Sequence, residues 1–341
     1  MIWENPFEGT NNFSWEMPAQ AQPEEQKIDK KITVLVPCYN EVENVRPLSK
    51  AIINIFETDE TLKKYHFDIL FIDNYSTDGT RDELEDMCAG DKRITSIFNA
   101  KNFGQFNSPF HAMLQAKCDC LISMCCDFQD PVEMLPVFVK EWEQGYKIVC
   151  AIKSQSKENK ILYALRSAYY KMIKKFSTVE QIEHFTGFGL YDRDFLEVLR
   201  KLDDPTPFLR GIVAELGFKR KEVPYCQQER RAGKTHNNWA SLFDAAMLSF
   251  TSYTKIGVRM AVVSGAILTA ANLFLGLLYI IFACIFPSLW SVWVLPILIS
   301  VFLVGSVLMF FIGFVGEYVV SVSQRVTGRP LVVEEKRLNM D

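Results

Sequence analysis

The stretch MCCDFQDPVE, Met124 to Glu133, sets three oxygen-bearing side chains (Asp127, Gln129 and Asp130) between an apolar run and a proline. Oxygen donors at that spacing suit a hard divalent cation such as Mg2+ or Mn2+. The same residues also suit a polar turn, with Asp130 capping the helix that follows. Cys125 and Cys126 stand just before them, and a soft thiol is a poor ligand for such an ion. A second stretch, ERRAGK, gathers Arg230, Arg231 and Lys234 around Gly233. Cations on a loop near an apolar segment suit phosphate recognition; a solvated charge run is the plainer reading.

These residues need a scaffold, and the hydrophobic pattern supplies one. ITVLV (32–36), FDILFI (67–72), ITSIF (94–98), CLISM (120–124) and KIVCAI (147–152) read as buried strands. VRPLSKAIINIF (45–56), RDELEDMC (81–88) and VEMLPVFVKEW (132–142) read as helices between them. Such alternation predicts an α/β fold with a doubly wound, mostly parallel sheet over residues 32–235. Ligands of such sheets lie at the carboxyl ends of the strands. The loops there are PCYNE (Pro37 to Glu41), DNYSTDGT (Asp73 to Thr80, with Thr77 or Asp78 placed to cap a helix) and the Asp127 loop. Neither a GxGxxG nor a GxxxxGK[ST] run occurs. A nucleotide here would be held by carboxylates and a metal, without a glycine cradle.

The last third of the chain is different. Residues 258–286 and 292–319 are long apolar runs, and no Lys or Arg lies between Arg259 and Arg325. Each run exceeds the roughly 20 residues needed to cross a bilayer core. The link PSLWS permits a tight hairpin, with Trp290 and Trp293 as interfacial anchors. Lys255 and Arg259 before it, and Arg325, Arg329, Lys336 and Arg337 after it, place both ends in the cytoplasm by the positive-inside rule. Upstream, Trp239, Leu242, Phe243, Met247, Phe250 and Tyr253 form a helical apolar stripe. It predicts an amphipathic juxtamembrane helix over 236–257 lying in the interface. Gly265, Ala266, Ala270 and Ala271 permit close helix packing and a homo-oligomer.

Composition narrows the setting. The net charge of −4 over 341 residues gives no footprint for nucleic acid. Nine scattered cysteines lack zinc-site spacing and suit a reducing compartment. Residues 1–31 have no basic and apolar leader pattern and read as a flexible tail; residues 325–341 read as a cytoplasmic C-terminal tail.

ITVLVPCYNE, FIDNYSTDGT, CDFQDPVE, FTGFGLYDRDF and ERRAGKTHNNW, in this order, resemble the family-2 glycosyltransferases of GT-A fold. More narrowly, the chain is similar to polyprenyl-phosphate glycosyltransferases: dolichol-phosphate mannose synthases and bacterial relatives with two C-terminal membrane helices. The resemblance covers about residues 32–330. It implies an inverting, metal-dependent hexosyltransferase in a bacterial-type plasma membrane, serving glycan or cell-envelope assembly. A nucleotide sugar, UDP-glucose first, would be the donor, and a polyprenyl phosphate such as undecaprenyl phosphate the acceptor.

By position, the resemblance implies that Pro37, Tyr39, Glu41 and Asp73 contact the nucleotide and that Asp127 and Gln129 reach the metal. Arg230, Arg231 and Lys234 would meet phosphate. Asp192 falls at a segment near the acceptor, as a base or as a helix N-cap, and Asp130 is a further catalytic candidate. The chain departs from the family at Cys125, where an acid is usual, and at Asn74 and Tyr75, where an acid and a glycine are. Cys125 is expected to end the buried strand away from the ion. Other readings are a glycolipid synthase with a lipid hydroxyl acceptor and an inactive membrane scaffold. A processive polysaccharide synthase fits poorly: QQERRA offers Gln-x-x-Arg, but Ala232 follows Arg231 where Trp is expected.

Overall fold

The computed structural model describes residues 28–155, 182–232, 247, 256–285 and 294–340. Its centre is an eight-stranded sheet of order β7-β5-β6-β4-β1-β2-β3-β8. The strands are β1 (Ile28–Cys38), β2 (Tyr65–Asp73), β3 (Ile94–Asn99), β4 (Cys120–Ser123), β5 (Ile148–Gln155), β6 (Phe185–Asp192), β7 (Arg220–Cys226) and β8 (Glu334–Leu338). β1 pairs in parallel with β2 and β4, β2 with β3, and β5 with β7. β6 runs antiparallel between β4 and β5, and β8 antiparallel along β3. The sheet is therefore mixed, with the expected parallel centre.

Period-2 alternation fills both faces. Val34 and Val36 point into one core cluster with Val45 and Leu48 of α1 (Val42–Thr58), Leu84 of α2 (Thr80–Gly90) and Leu135 of α4 (Met134–Glu143). Leu35 enters the other, with Phe110 of α3 (Gly104–Gln115), Phe195 of α5 (Arg193–Leu202) and Ile212 of α6 (Leu209–Glu215). Covering both faces explains why the central strands read as unbroken apolar runs.

Two elements escape sequence patterning. In β6 the run FTGFGLYD carries two glycines, which weaken a strand signal. Gly189 is required there, because a Cβ would sit 2.1 Å from the Val149 carbonyl oxygen. The second is β8. Residues 325–341, expected to be a free tail, return to the sheet edge instead. Arg81 pairs with Glu335 at 2.7 Å, Lys336 with Glu85, and Asn339 Nδ2 donates to the carbonyls of Cys88 and Ile94. Charged EEKRL carries little apolar signal, since its partners are charges on α2 and the backbone of β3.

The helices α7 (Ile256–Ile285) and α8 (Val294–Val326) follow. Within them Val262–Phe282 and Ser300–Val326 are long and apolar enough to cross a membrane, and none of either window is buried. Leu273, Phe274, Phe302 and Met309 stand exposed. Asn272, Thr269 and Ser306 turn their polar groups onto carbonyls four residues back, the satisfaction an apolar solvent demands. The two helices indicate membrane association. Of the tail expected over residues 1–31, residues 1–27 lie outside the described residues, while 28–31 are not tail but the start of β1. Residues 236–255 of the expected juxtamembrane helix, except Met247, also lie outside the described residues.

Candidate active site

At the carboxyl edge of the sheet, the loops after β1 and β2 are stitched together. Cys38 and Asp73 are register partners. Asn40, in the left-handed region at φ 57°, donates its backbone N–H to Ser76 Oγ (2.8 Å) and accepts Thr77 N on its side-chain Oδ1 (2.8 Å). Glu41 N donates to Thr80 Oγ1 at 2.9 Å. The carboxylate of Asp73 is fully buried and accepts Ser76 N and Tyr75 N, both at 3.2 Å, with Arg81 Nε at 3.4 Å. Burial pushes its pKa up, against those bonds. Asp73 thus sets the shape of its own loop.

Asn74, where the family has an acid, is a hub that sequence reasoning missed. Its Oδ1 accepts Asn99 Nδ2 (3.1 Å) and Phe103 N (2.9 Å), while its Nδ2 donates to Asn102 Oδ1 (3.0 Å) and the Gly104 carbonyl (3.3 Å). A carboxylate cannot donate, so the loop after β3 as built here demands the amide. Tyr75 takes φ 70° where the family has glycine, and the Arg81 guanidinium lies over its ring.

The Asp127 loop hangs from β4, with Met124 N bonded to the Leu35 carbonyl. Phe128 adopts φ 63°, a left-handed conformation that costs a non-glycine residue about 1–2 kcal/mol. The turn splays Asp127 and Gln129, while Asp127 Oδ1 accepts Gln129 N at 3.1 Å. Asp130 turns backward: its Oδ2 accepts Cys125 N (2.9 Å) and its Oδ1 the Tyr225 hydroxyl (3.1 Å). Burial pushes both the Asp130 carboxyl and the Tyr225 hydroxyl upward. Asp130 therefore does not cap the following helix. With both oxygens engaged, it braces the loop against β7, and α4 begins later, at Met134. Cys125 lies past the end of β4 and is exposed, while Cys126 is buried. Burial drives the Cys126 thiol well above its usual pKa, so it stays protonated and apolar.

The segment 227–232 after β7 lies across this loop. Gln228 N bonds the Gln129 carbonyl (3.1 Å) and Arg231 N the Asp127 carbonyl (3.2 Å). Gln227 Nε2 donates to Gln129 Oε1 at 3.1 Å. Arg230 bridges two loops, with Nη1 3.2 Å from Glu41 Oε1 and Nη2 2.9 Å from Asp127 Oδ2. Arg231 lies over the Phe128 ring, 5.1 Å from its centroid. Asn44 Nδ2 ties Glu41 Oε2 (2.6 Å) to the Ala232 carbonyl (3.3 Å).

Of the predicted site residues, the structure gathers Glu41, Asp127, Gln129, Asp130, Arg230 and Arg231 into one cluster. Pro37, opposite Ile72 at the end of β1, and Tyr39 in the following loop flank it. Lys234 lies outside the described residues. Asp192 is not part of the cluster. It pairs with Cys120 at the start of β4, roughly 10 Å along the strand from the carboxyl end. There it caps α5 through Asp194 N (2.9 Å) and accepts Trp142 Nε1 (2.6 Å) and Lys147 Nζ (3.0 Å). Its N-cap reading holds. Gln227 and Asn44 were missed because isolated amides carry no pattern.

The donor set fits a hard cation: Asp127 Oδ2 and Gln129 Oε1 are oxygens, Glu41 faces the same space, and a guanidinium already stands in for positive charge there. Among the described residues, no group of three or more His, Cys, Asp or Glu side chains is placed to hold a metal ion by itself. An ion here would complete its shell with the ligand's oxygens or water.

Residues 33–200 match Glycosyl transferase family 2. The chain is 28% identical to the prophage bactoprenol glucosyl transferase homolog of Escherichia coli (strain K12), covering 90% of this chain and 96% of the relative. It is 28% identical to the SfII prophage-derived bactoprenol glucosyl transferase of Shigella flexneri, over 90% and 98%. It is also 28% identical to the putative glycosyltransferase CsbB of Bacillus subtilis (strain 168), over 91% and 93%. Among solved structures, mannosyl-3-phosphoglycerate synthase from Rubrobacter xylanophilus superposes with TM-score 0.47 at 16% identity, covering 64% of this chain and 71% of that one. The protein is a glycosyltransferase that carries a family 2 catalytic domain.

Proposed function

We propose that this chain is a membrane-bound glucosyltransferase that moves glucose from UDP-glucose to a polyprenyl phosphate at the inner face of a bacterial-type plasma membrane. The observation that carries the reading is the likeness to bactoprenol glucosyl transferases along 90% of this chain and 96–98% of theirs. The net positive ends of those helices favour cytoplasmic placement of both flanks.

In this reading, Tyr39 and Glu41 line the nucleotide side, and Arg230, Arg231 and Lys234 receive phosphate oxygens. A divalent ion held by Asp127 and Gln129 would neutralise charge on the departing diphosphate. A lipid phosphate has its second pKa near about 6, so at neutral pH it is largely a dianion. One of its oxygens attacks the anomeric carbon as the bond to UDP breaks, with inversion. No proton has to be removed. The protein's task is alignment and charge neutralisation.

The test is a panel of purified protein, labelled nucleotide sugars, undecaprenyl phosphate, and Mg2+ or Mn2+. Transfer from UDP-glucose to the lipid phosphate is expected. Transfer to sugar or diacylglycerol hydroxyls, with polyprenyl phosphate ignored, refutes the reading.

A further inference from the structure

Both oxygen donors expected to hold the ion are covered by one stretch of chain. Asp127 Oδ2 faces Arg230 at 2.9 Å, and Gln129 Oε1 faces Gln227 Nε2 at 3.1 Å. The other Asp127 oxygen is engaged within its own loop, by Gln129 N. Likewise Glu41 gives Oε2 to Asn44 and Oε1 to Arg230. Two carboxylates only 8% and 4% exposed thus share one guanidinium, which satisfies them at a depth where an unpaired charge is costly. Backbone bonds from Gln228 and Arg231 to the carbonyls of Gln129 and Asp127 hold the stretch in register.

We propose that residues 227–232 form a cation-mimicking cover over the metal loop, with Arg230 as the resident cation, and that the cover couples metal binding to diphosphate binding. The inference rests on the reading of Asp127 and Gln129 as metal donors. A divalent ion must displace Arg230 from Asp127 and Gln227 from Gln129, so the ion alone binds at a penalty. A nucleoside diphosphate offers the displaced guanidinium a new anionic partner and removes that penalty. Ion and diphosphate therefore bind with positive coupling, and reciprocity requires each to tighten the other equally. A binding-competent state populated in small fraction lowers apparent affinity by that fraction. In the covered state Arg230 also spares Glu41 and Asp127 from facing each other uncompensated, so the site stays assembled before ligands arrive.

The experiment titrates Mn2+ into the full chain in detergent, without and with UDP, read by the electron paramagnetic resonance of free Mn2+. Wild type is expected to bind Mn2+ weakly alone and far more tightly with UDP. Arg230→Gln is expected to bind Mn2+ alone at least about fivefold tighter than wild type, with most of the UDP enhancement lost, in line with usual coupling energies. Gln227→Ala is expected to shift the same way by less. Arg231→Gln removes the same charge from a side chain that lies on Phe128 instead of on the donors; it is expected to leave Mn2+ affinity without UDP near wild type.

Equal tightening by Arg231→Gln would assign the effect to general electrostatics and overturn the cover. Unchanged or weaker Mn2+ binding by Arg230→Gln, with UDP-dependent Mn2+ binding intact in wild type, overturns the cover and leaves the proposed function standing. Absence of UDP-dependent Mn2+ binding in wild type overturns both.

Discussion

Asn74→Asp restores the acid usual in the family, and the structure predicts that it harms this protein. Asn74 is 8% exposed and makes four hydrogen bonds, two as donor. A carboxylate keeps the two accepted bonds and loses both donated ones, to Asn102 Oδ1 and the Gly104 carbonyl. Asn102 cannot rescue the pair by turning its amide, because its Oδ1 also accepts Gly104 N at 2.8 Å. Two neutral hydrogen bonds contribute about 1 kcal/mol each, and the oxygens left facing a buried charge add about 1–3 kcal/mol. The expected loss is about 3–5 kcal/mol. For a domain of this size it corresponds to a fall in Tm of roughly 10 °C.

The sign of the pH dependence is a further check. Burial beside the Asn102 and Gly104 oxygens, which repel the charge, outweighs the two bonds still accepted from Asn99 and Phe103 and raises the new carboxyl's folded pKa above its unfolded value, so the folded variant binds the extra proton. The variant must recover stability as pH falls toward 5, when the protonated group regains one donor. Thermal melts of both proteins in detergent at pH 7.5 and 5 read this directly. A variant as stable as the parent at pH 7.5, or a deficit that does not narrow at pH 5, would refute the assignment of Asn74 as a donor hub.

Three further outcomes are expected. Asp127→Asn should lower turnover about 10²–10³-fold, the scale of losing one essential electrostatic contact, whereas Cys125→Ser should keep near-parental turnover; radiolabel transfer assays separate them. Asp192→Ala should leave kcat near parental but cost about 2 kcal/mol in a denaturant melt, through the lost α5 cap and the stranded Trp142 N–H. Burial pushes the Glu334 carboxyl up, but Arg337 and His111 outweigh it and leave its pKa below the usual value. Its contribution is therefore complete above about pH 4.3 and lost as pH falls through the lowered value, so hydrogen exchange at β8 should accelerate in acid. Glu334→Gln should loosen β8 already at pH 7.

The parallel centre of the sheet was legible because its strands, buried on both faces, are unbroken runs of Val, Ile, Leu and Phe with helical periods between them. The polar loops after β1, β2 and β4 stood out against those runs. What stayed hidden depends on contacts between distant segments. β8 contacts a sheet edge and α2 more than 230 positions earlier, through charges that look like solvent-exposed tail. Asn74 and Gln227 matter through what their amides bridge, and no local pattern marks an amide with four partners. Asp130 and Asp192 show the converse: both are acids in family motifs, and the bonds by which each holds the scaffold could not be read from the motif.

That consumption bears on the chemistry. Asp73 is spent on Ser76, Tyr75 and Arg81; Asp130 on Cys125 and Tyr225; and Asp192 on Trp142, Lys147 and the start of α5. Of the predicted site carboxylates among the described residues, the other two at the carboxyl edge, Glu41 and Asp127, share the Arg230 guanidinium, which occupies the oxygens that a proton-accepting base would turn to its acceptor. A sugar or lipid hydroxyl acceptor would ask one of these groups to take a proton at neutral pH. A phosphate acceptor asks none of them, since it arrives already ionised. The same cluster that is ill suited to general base work is well suited to gathering positive charge, from Arg230, Arg231 and a divalent ion, around two anionic reactants. The pH profile follows from this: kcat/KM should fall on the acid side with the second ionisation of the lipid phosphate, near pH 6, and that inflection should not move when Asp192 or Asp130 is replaced by Asn. An inflection that shifts with either substitution would return that carboxyl to the role of base.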